Sequence, residues 1–448
     1  MQIMTKQKKL SINMGIDFGT CYSKVCFEES HKKLFVKYYS NESVYKHSKV
    51  YYDYVNKIFY YQKPEYLNSI ETIKYFKYSM IDKSLPRSIK IPVSNPKTTY
   101  EILCGIFFIA CLIKHSKKYI EKHYKRHGVL QFEWNITIGV PIDNYSNEFR
   151  ALYDMILQGA IKLSEKLNKY SISMDILDNF CQENLKNTIP SFKASPNNTL
   201  SELYAESLSF LQDDNVLEGL YTIVDIGGAT VDMAVIHKAL EKNIMLSMDN
   251  NTKQKKYKYC IFAKSIQPLG IEILKHKIAK NTDSYSSIRK LLLVNGFKNT
   301  DIDYNKSEEK KFVSKMQEAF ARLAKEVRDK RIAREALINQ KGKLRVILCG
   351  GGARYKWYKD CISSTWDRIL NTLEDVGFRL EFISIENLKR YYNNIDHRLI
   401  ISSGLAQDIQ SIPDLDGFPW DYSGITYSEI NQNEFLEETM KEKYGKNL

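Results

Sequence analysis

Hydrophobic and polar positions alternate along the chain in a way that predicts two similar strand–turn–strand segments. In the first, Ile12, Met14 and Ile16 alternate with polar or small residues, a glycine-bearing turn follows, and Val25 and Phe27 mark the second strand. Residues 221–236 repeat this pattern, and residues 257–265 predict a third strand after them. Because further strands and helices follow both segments, the sequence predicts a weak internal duplication of an α/β unit.

The rest of the chain alternates between helical and strand-like patterns. Apolar positions at helical spacing predict helices over 98–126, 146–167, 203–211, 306–338 and 398–409. Buried strands are predicted at 134–140 and 344–348, short antiparallel strands over 33–61, and a loop over 184–200. These elements predict a first lobe of residues 11–215 plus 398–412, a second lobe of 216–397, and a C-terminal tail of 413–448.

Composition and charge narrow the class of protein. Hydrophobic residues make up 43% of the 448 residues, which is enough for a sizeable buried core. The net charge of +13 is compatible with nucleic acid as a partner, but the basic runs are short and a general bias toward lysine explains them better. Eight cysteines without a CxxC pair are typical of free thiols in a reducing compartment. The longest apolar run, 102–113, is shorter than the ~20 residues of a membrane span. The prediction is a soluble, cytoplasmic protein without a membrane segment.

Three glycine-bearing turns carry the candidate chemistry. Their residues are Gly19, Thr20, Cys21 and Tyr22 in the first, Gly227, Gly228, Ala229 and Thr230 in the second, and Gly350, Gly351, Gly352 and Arg354 in the third. A turn without bulky side chains lets backbone N–H groups approach phosphate oxygens closely, and a threonine hydroxyl adds a donor. An aspartate just before the turn, Asp17 or Asp225, can hold a water-ligated magnesium ion.

Two such turns facing each other would bind the β- and γ-phosphates from both sides, and the third turn suits a flat ligand such as adenosine. No GxxxxGK[ST] sequence occurs in the chain, so a P-loop is excluded.

In this order, the three turns resemble the nucleotide-binding motifs of the actin-like ATPase superfamily, most closely those of the DnaK-type heat-shock chaperones. Residues 15–23 are similar to the first phosphate motif, with Cys21 where a second threonine is usual. Residues 225–232 resemble the second phosphate motif with Ala229 in place of its third glycine, and 350–354 resemble the adenosine motif. The segments 202–210, 268–272 and 403–406 are weaker matches, and the resemblance covers roughly residues 11–412. It implies a bilobed actin-like α/β fold of duplicated ribonuclease-H-like domains, with a nucleotide cleft between the lobes.

The resemblance also implies roles for individual residues, with ATP and Mg²⁺ as the ligands. Asp17 and Asp225 would position the metal, and Glu202 with Asp232 would orient the attacking water. The two phosphate turns would contact phosphate through Thr20 and Thr230. Arg354 would stack on the adenine. A lysine from the first lobe usually completes such a site, and Lys63 is the expected residue. Lys325, in the long charged helix, is expected either near the adenine end or on a solvated helix face.

The expected function is slow ATP hydrolysis that drives a conformational switch acting on an unknown protein partner. Residues 66–135 do not resemble the corresponding insert of the chaperones, and the tail 413–448 is too short for a standard peptide-binding domain. The main alternative is an actin-like, filament-forming ATPase of the plasmid-segregation type. A sugar or acetate-type kinase and a nucleotide-binding regulator with little turnover are further alternatives. The Gly-Thr-Cys-Tyr-Ser segment and the Leu269-Gly-Ile-Glu272 segment favour the chaperone-type ATPase over the filament protein.

Overall fold

The chain is a mixed α/β protein, and its described residues form three multi-stranded sheets. A computed structural model describes residues 9–29, 32–38, 43–80, 99–125, 131–141, 147–185, 199–211, 216–240, 257–280, 305–328, 342–365, 379–383 and 398–407. The chain divides into two compact units. Unit 1 comprises Met1–Glu206 and Ile401–Ile412, and unit 2 comprises Ser207–Ile400 and Pro413–Leu448.

The elements of the described residues have the following bounds. The strands are β1 (Lys9–Phe18), β2 (Tyr22–Glu29), β3 (Lys32–Phe35), β4 (Lys46–His47), β5 (Lys49–Asp53), β6 (Ile58–Tyr60), β7 (Ile70–Lys74), β8 (Gln131–Val140), β9 (Ser171–Ser173), β10 (Thr199–Ser201), β11 (Gly219–Ile226), β12 (Val231–Leu240), β13 (Tyr257–Gln267), β14 (Lys343–Cys349) and β15 (Arg379–Ile383). The helices are α1 (Phe76–Ser79), α2 (Tyr100–Lys125), α3 (Asn147–Lys166), α4 (Met174–Leu185), α5 (Glu202–Leu211), α6 (Ile271–Ile278), α7 (Lys306–Arg328), α8 (Lys356–Thr365) and α9 (Ile400–Leu405).

The main sheet of unit 1 follows the strand order β10–β8–β1–β2–β3, and β4 also pairs with β2. Strand β1 is antiparallel to β2, and β2 is antiparallel to β3. On its other side β1 is parallel to β8, and β8 is parallel to β10. The predicted first strand–turn–strand segment is therefore the centre of this sheet.

The sheet of unit 2 follows the order β13–β12–β11–β14–β15. Its strands β11, β12 and β13 are successively antiparallel, and β11, β14 and β15 are successively parallel. The two five-strand paths thus share one order and one set of directions. Asp17 and Asp225 occupy corresponding places in them, because each lies one residue before the end of its sheet's first strand.

Unit 1 also contains a separate four-stranded antiparallel sheet, in the order β7–β5–β6–β9. The apolar run of α2 belongs to the core of this unit: residues 102–113 are all buried there, together with one face of α3. No helix in the described ranges combines the length and the apolar character that crossing a membrane requires.

Most of the predicted elements are present, with one correction. Residues 184–200 were predicted as a loop, but α4 runs to Leu185 and Thr199–Ser201 pair with β8 as a strand, while residues 186–198 lie outside the described part. A three-residue strand is too short to show a period of two, so its parallel partner rather than its own sequence defines it. The ends of the helices predicted at 306–338 and 398–409, and the tail 413–448, also lie outside the described residues.

Candidate functional site

Ser48 holds the turn between β1 and β2 by hydrogen bonds to the carbonyl groups of the turn. The Ser48 hydroxyl donates to the Gly19 carbonyl at 2.6 Å, and the Ser48 backbone N–H donates to the Cys21 carbonyl at 2.9 Å. The Ser23 and Ser48 hydroxyls are 2.8 Å apart, so with Ser48 donating to Gly19, Ser23 donates to Ser48. Within the described part of the chain the Thr20 amide donates to no group, which leaves it available to a ligand.

The corresponding turn between β11 and β12 is held by the start of α6. Backbone N–H groups of Gly270, Ile271 and Glu272 donate to the carbonyls of Ala229, Gly227 and Gly228 at 2.9, 3.1 and 2.7 Å. Gly270 is required for this contact because a Cβ there would collide with the backbone of Ala229 and Gly228. Among the described residues, the amides of Gly228 and Ala229 donate to no group. In both turns, therefore, carbonyls are bonded from behind while amides remain available.

The third turn packs directly on the end of β11. The Gly352 amide donates to the Ile226 carbonyl at 2.7 Å. Gly350 has a positive φ of 78°, and a Cβ at this position would collide with the Asp225 carboxylate. Gly351 is open, and Arg354 is exposed with its guanidinium 5.3 Å from the ring centroid of Tyr355. The second and third turns of unit 2 thus meet at Asp225.

The two hairpins carry different charges at the same place. In unit 1, Asp17 faces Lys24 across β1 and β2, and the two side chains form an ion pair that is 3% exposed on the aspartate and 12% on the lysine. In unit 2, Asp225 faces Asp232 across β11 and β12, so two carboxylates stand opposite each other. Facing like charges destabilise a pair of strands unless a cation lies near them.

A second ion pair in unit 1 is fully inside the protein. The Lys77 ammonium of α1 lies 2.7 Å from the Glu202 carboxylate of α5, and both side chains are under 10% exposed. Contacts of Phe76 with Phe18 fix α1 beside the end of β1, and the Lys77 ammonium lies 5.7 Å from the Phe18 ring centroid. Gly139 on β8 leaves room for the glutamate, because a Cβ there would come within 2.7 Å of the Glu202 Cγ.

Charges around this buried pair shift the pKa values of both its members. Burial opposes the charged form of Lys77, but the nearby Glu202, Tyr153 and Asp17 outweigh burial and raise the pKa of the lysine. Burial raises the pKa of the Glu202 carboxyl; Asp17 adds to that rise, and Lys77 opposes it. Lys77 therefore stays cationic, while Glu202 accepts a proton more readily than an exposed glutamate does.

The remaining sequence-predicted residues lie as follows. Lys63 is exposed in the segment after β6, whereas the charged groups that act on Glu202 are Lys77, Asp17 and Lys24. Lys325 is exposed on α7. Tyr22 begins β2, with its ring 4.3 Å from the His47 ring. Lys77 is not among the residues predicted from the sequence, because no glycine motif surrounds it. A lysine among the aromatic residues Tyr75, Phe76 and Tyr78 was the signal that could have identified it.

The donor atoms fit magnesium and phosphate. Carboxylate oxygens are the ligands that Mg²⁺ prefers, and it usually completes its shell with water and substrate phosphates. No cluster of three or more metal-binding side chains occurs among the residues that the structure describes. Asp225 and Asp232 therefore offer a partial set of ligands, while the negative charge of Asp17 is balanced by Lys24.

Comparison with known proteins does not assign the chain to a family. No model of a known protein family matches it, and no curated protein is similar to it in sequence.

Proposed function

We propose that this chain binds ATP with Mg²⁺ and hydrolyses it slowly, as an actin-like ATPase of the heat-shock type whose conformational change acts on a protein partner. The observation that carries the proposal is the repetition of one arrangement. Two sheets of equal strand order each have an aspartate two residues before the first glycine of a turn, and available amides in that turn. This repetition supports the duplicated ribonuclease-H-like domains of the predicted bilobed fold.

The orientation of the peptide groups within each turn supports the proposed phosphate binding. Because Ser48 and α6 bond the carbonyl groups, the amides of Thr20, Gly228 and Ala229 are the polar groups left for an anion. Backbone amides in such turns bind phosphate oxygens without a side chain. The hydroxyls of Thr20 and Thr230 add donors, and the third turn at Gly350–Gly352 takes the adenosine in this proposal.

Hydrolysis requires a group that orients water and a group that stabilises the charge on the transferred phosphoryl. Glu202 has a raised pKa and suits the first role, whereas Asp232, which faces Asp225, is assigned to the metal instead of to the water. Lys77 remains cationic in a buried site and suits the second, which the sequence analysis had given to Lys63. When bound, Mg²⁺ supplies neutralisation of phosphate charge, and Asp225 with Asp232 would hold it.

The lysine assignment is tested by steady-state ATP hydrolysis of purified variants. We expect Lys77→Ala to lower kcat about 100-fold, because it removes a preorganised cation from a water-poor site. Lys74→Ala, an exposed lysine in the neighbouring strand, is the control and should hydrolyse ATP like the wild type. A larger loss in Lys63→Ala than in Lys77→Ala would return the role to Lys63.

The whole proposal is tested by calorimetric ATP binding and by turnover, run beside nucleotide-dependent sedimentation. Binding and slow turnover without sedimentation are the expected results. Turnover with sedimentation would favour the filament-forming alternative. Absence of ATP binding in the presence of Mg²⁺ would overturn the proposal.

A further inference from the structure

We propose that Ser48 is a positioning residue for the first glycine turn, which it holds in the conformation that presents the Thr20 amide to phosphate. This inference rests on the proposed function for its ligand, but the hold itself is a property of unit 1. Ser48 lies at the junction of β4 and β5, outside every glycine motif, and nothing in the sequence pattern marks it.

Three hydrogen bonds join Ser48 to this hairpin. Two reach carbonyls on either side of Thr20, those of Gly19 and Cys21, and the third links its hydroxyl to that of Ser23 in β2. Ser48 and Ser23 are both fully buried, so water does not compete for these groups. Ser48, which lies between two strands, thus forms hydrogen bonds to one hairpin through both its main chain and its side chain.

The direction of these bonds is what links Ser48 to a ligand. A short turn can rotate its peptide groups so that either a carbonyl or an amide faces outward. Bonding the Gly19 and Cys21 carbonyls from behind opposes the rotation that would point them at an anion. The turn cannot be made rigid by placing a larger residue at Gly19, because a Cβ there would collide with the Tyr22 carbonyl.

The carbonyls of the second turn are also bonded from behind, but by other groups. There the carbonyls of Gly227, Gly228 and Ala229 accept from the backbone of α6, and no side chain is required. Only the first turn therefore depends on one removable hydroxyl, and Ser48→Ala removes that hydroxyl while its backbone bond to Cys21 remains.

The hold is measured first without nucleotide, by hydrogen–deuterium exchange of the full-length protein over residues 17–24. We expect Ser48→Ala to speed exchange in this peptide roughly threefold to tenfold, because it removes the hydroxyl bonds to Gly19 and to Ser23, of which the bond to Gly19 holds the turn. Ser23→Ala removes the Ser23–Ser48 bond and spares the bond to Gly19, so it is the matched control and should stay near the wild type. Ser48→Thr keeps the hydroxyl and should restore slow exchange.

The link to phosphate is measured by comparing ATP with adenosine in equilibrium binding. We expect Ser48→Ala to weaken ATP binding by a similar roughly threefold to tenfold and to leave adenosine binding unchanged, since adenosine has no phosphate. A general loss of structure would weaken the binding of both ATP and adenosine. If Ser48→Ala does not fold, Ser48→Cys, which keeps the size and weakens the hydrogen bond, gives the same comparison.

The outcomes separate this inference from the proposed function. Unchanged exchange over 17–24 in Ser48→Ala overturns the role of Ser48, whether or not ATP binds. Faster exchange in a protein that binds no ATP upholds the hold on the turn and overturns the proposed ligand. Faster exchange with equal losses for ATP and adenosine shows a structural role without a phosphate contact, and also contradicts the inference.

Discussion

The hairpin of β1 and β2 and the hairpin of β11 and β12 have the same place in sheets of the same topology, yet they differ in the charges that face each other across the two strands. The first balances its aspartate inside the protein with Lys24, whereas the second sets Asp232 against Asp225. The first turn is held by the Ser48 side chain and main chain, and the second by the main chain of α6. One backbone arrangement therefore carries an ion pair in the first hairpin and two facing carboxylates in the second.

The comparison is tested most strongly at the aspartate of the first hairpin. We expect Asp17→Asn to lower the free energy of unfolding by about 3–4 kcal/mol, because it leaves the largely buried Lys24 facing a neutral amide. Chemical denaturation without nucleotide or magnesium measures this change.

The control for Asp17→Asn is the double variant Asp17→Asn with Lys24→Met, which removes both charges and should recover part of the loss. Equal stability of Asp17→Asn and the wild type would show that the ion pair contributes nothing to the first hairpin.

Acid should affect the second sheet through His237 of β12. Burial lowers the pKa of His237 to about 4, below its ordinary value of about 6.5. The resulting stability is fully present above the unfolded-state pKa and is lost as pH falls from about 6.5 toward 4, by about 3 kcal/mol in total.

Hydrogen exchange of the β11–β12 peptides between pH 7 and pH 4, corrected for the intrinsic exchange rate, measures this effect separately from β1–β2. The variant His237→Phe should flatten the dependence. A slope that persists unchanged in His237→Phe would assign the acid response to other groups.

Glycines provide a further contrast between the units. A Cβ at Gly404 of α9 would collide with the Ala205 carbonyl of α5, whereas a Cβ at Gly351 meets no described atom within 4 Å. We expect Gly404→Ala to cost about 2 kcal/mol and Gly351→Ala to be close to neutral, both measured by thermal and chemical unfolding. A neutral Gly404→Ala would mean that α9 can shift away from α5 at little cost.

The smallest expected effect has the opposite sign to the largest. Asp232→Asn removes one of the two carboxylates at facing positions of β11 and β12, so without magnesium it should stabilise the protein by about 0.5 kcal/mol. Adding MgCl₂ should stabilise the wild type more than the variant, because only the wild type keeps both carboxylates. Destabilisation by Asp232→Asn in metal-free buffer would show that the two hairpins are electrostatically alike.

Much of the fold could be predicted because its central strands have a clear hydrophobic pattern. The alternation of Ile12, Met14 and Ile16 and the apolar run of 221–226 gave both first strands, and the run 102–113 gave the buried helix α2. The short elements α1 and β10 could not be predicted, since four and three residues carry no measurable period. Tertiary partners define such pieces.

The candidate site likewise contains residues that the sequence pattern marks and residues that it does not. Turn residues such as Gly19 and Gly228 are singled out by the sequence because glycine is needed where backbones approach closely. Lys77 and Ser48 are not singled out by the sequence, since each contacts its partner across a long sequence separation, Glu202 and Gly19 respectively. Spacing along the chain holds no information about such pairs, and only the folded sheet brings them together.

The close packing of Gly15 has a consequence for how the protein is made. A Cβ on Gly15 would lie 2.5 Å from the Ser402 carbonyl, so β1 is covered by the α9 segment, which follows all the described elements of unit 2. A ribosome releases β1 early and α9 hundreds of residues later, at ~5–20 residues per second. The described elements of unit 2 that precede α9 can thus fold while unit 1 still waits for its last helix. For tens of seconds, this face of a nascent β1 is open to any chaperone that binds apolar strands.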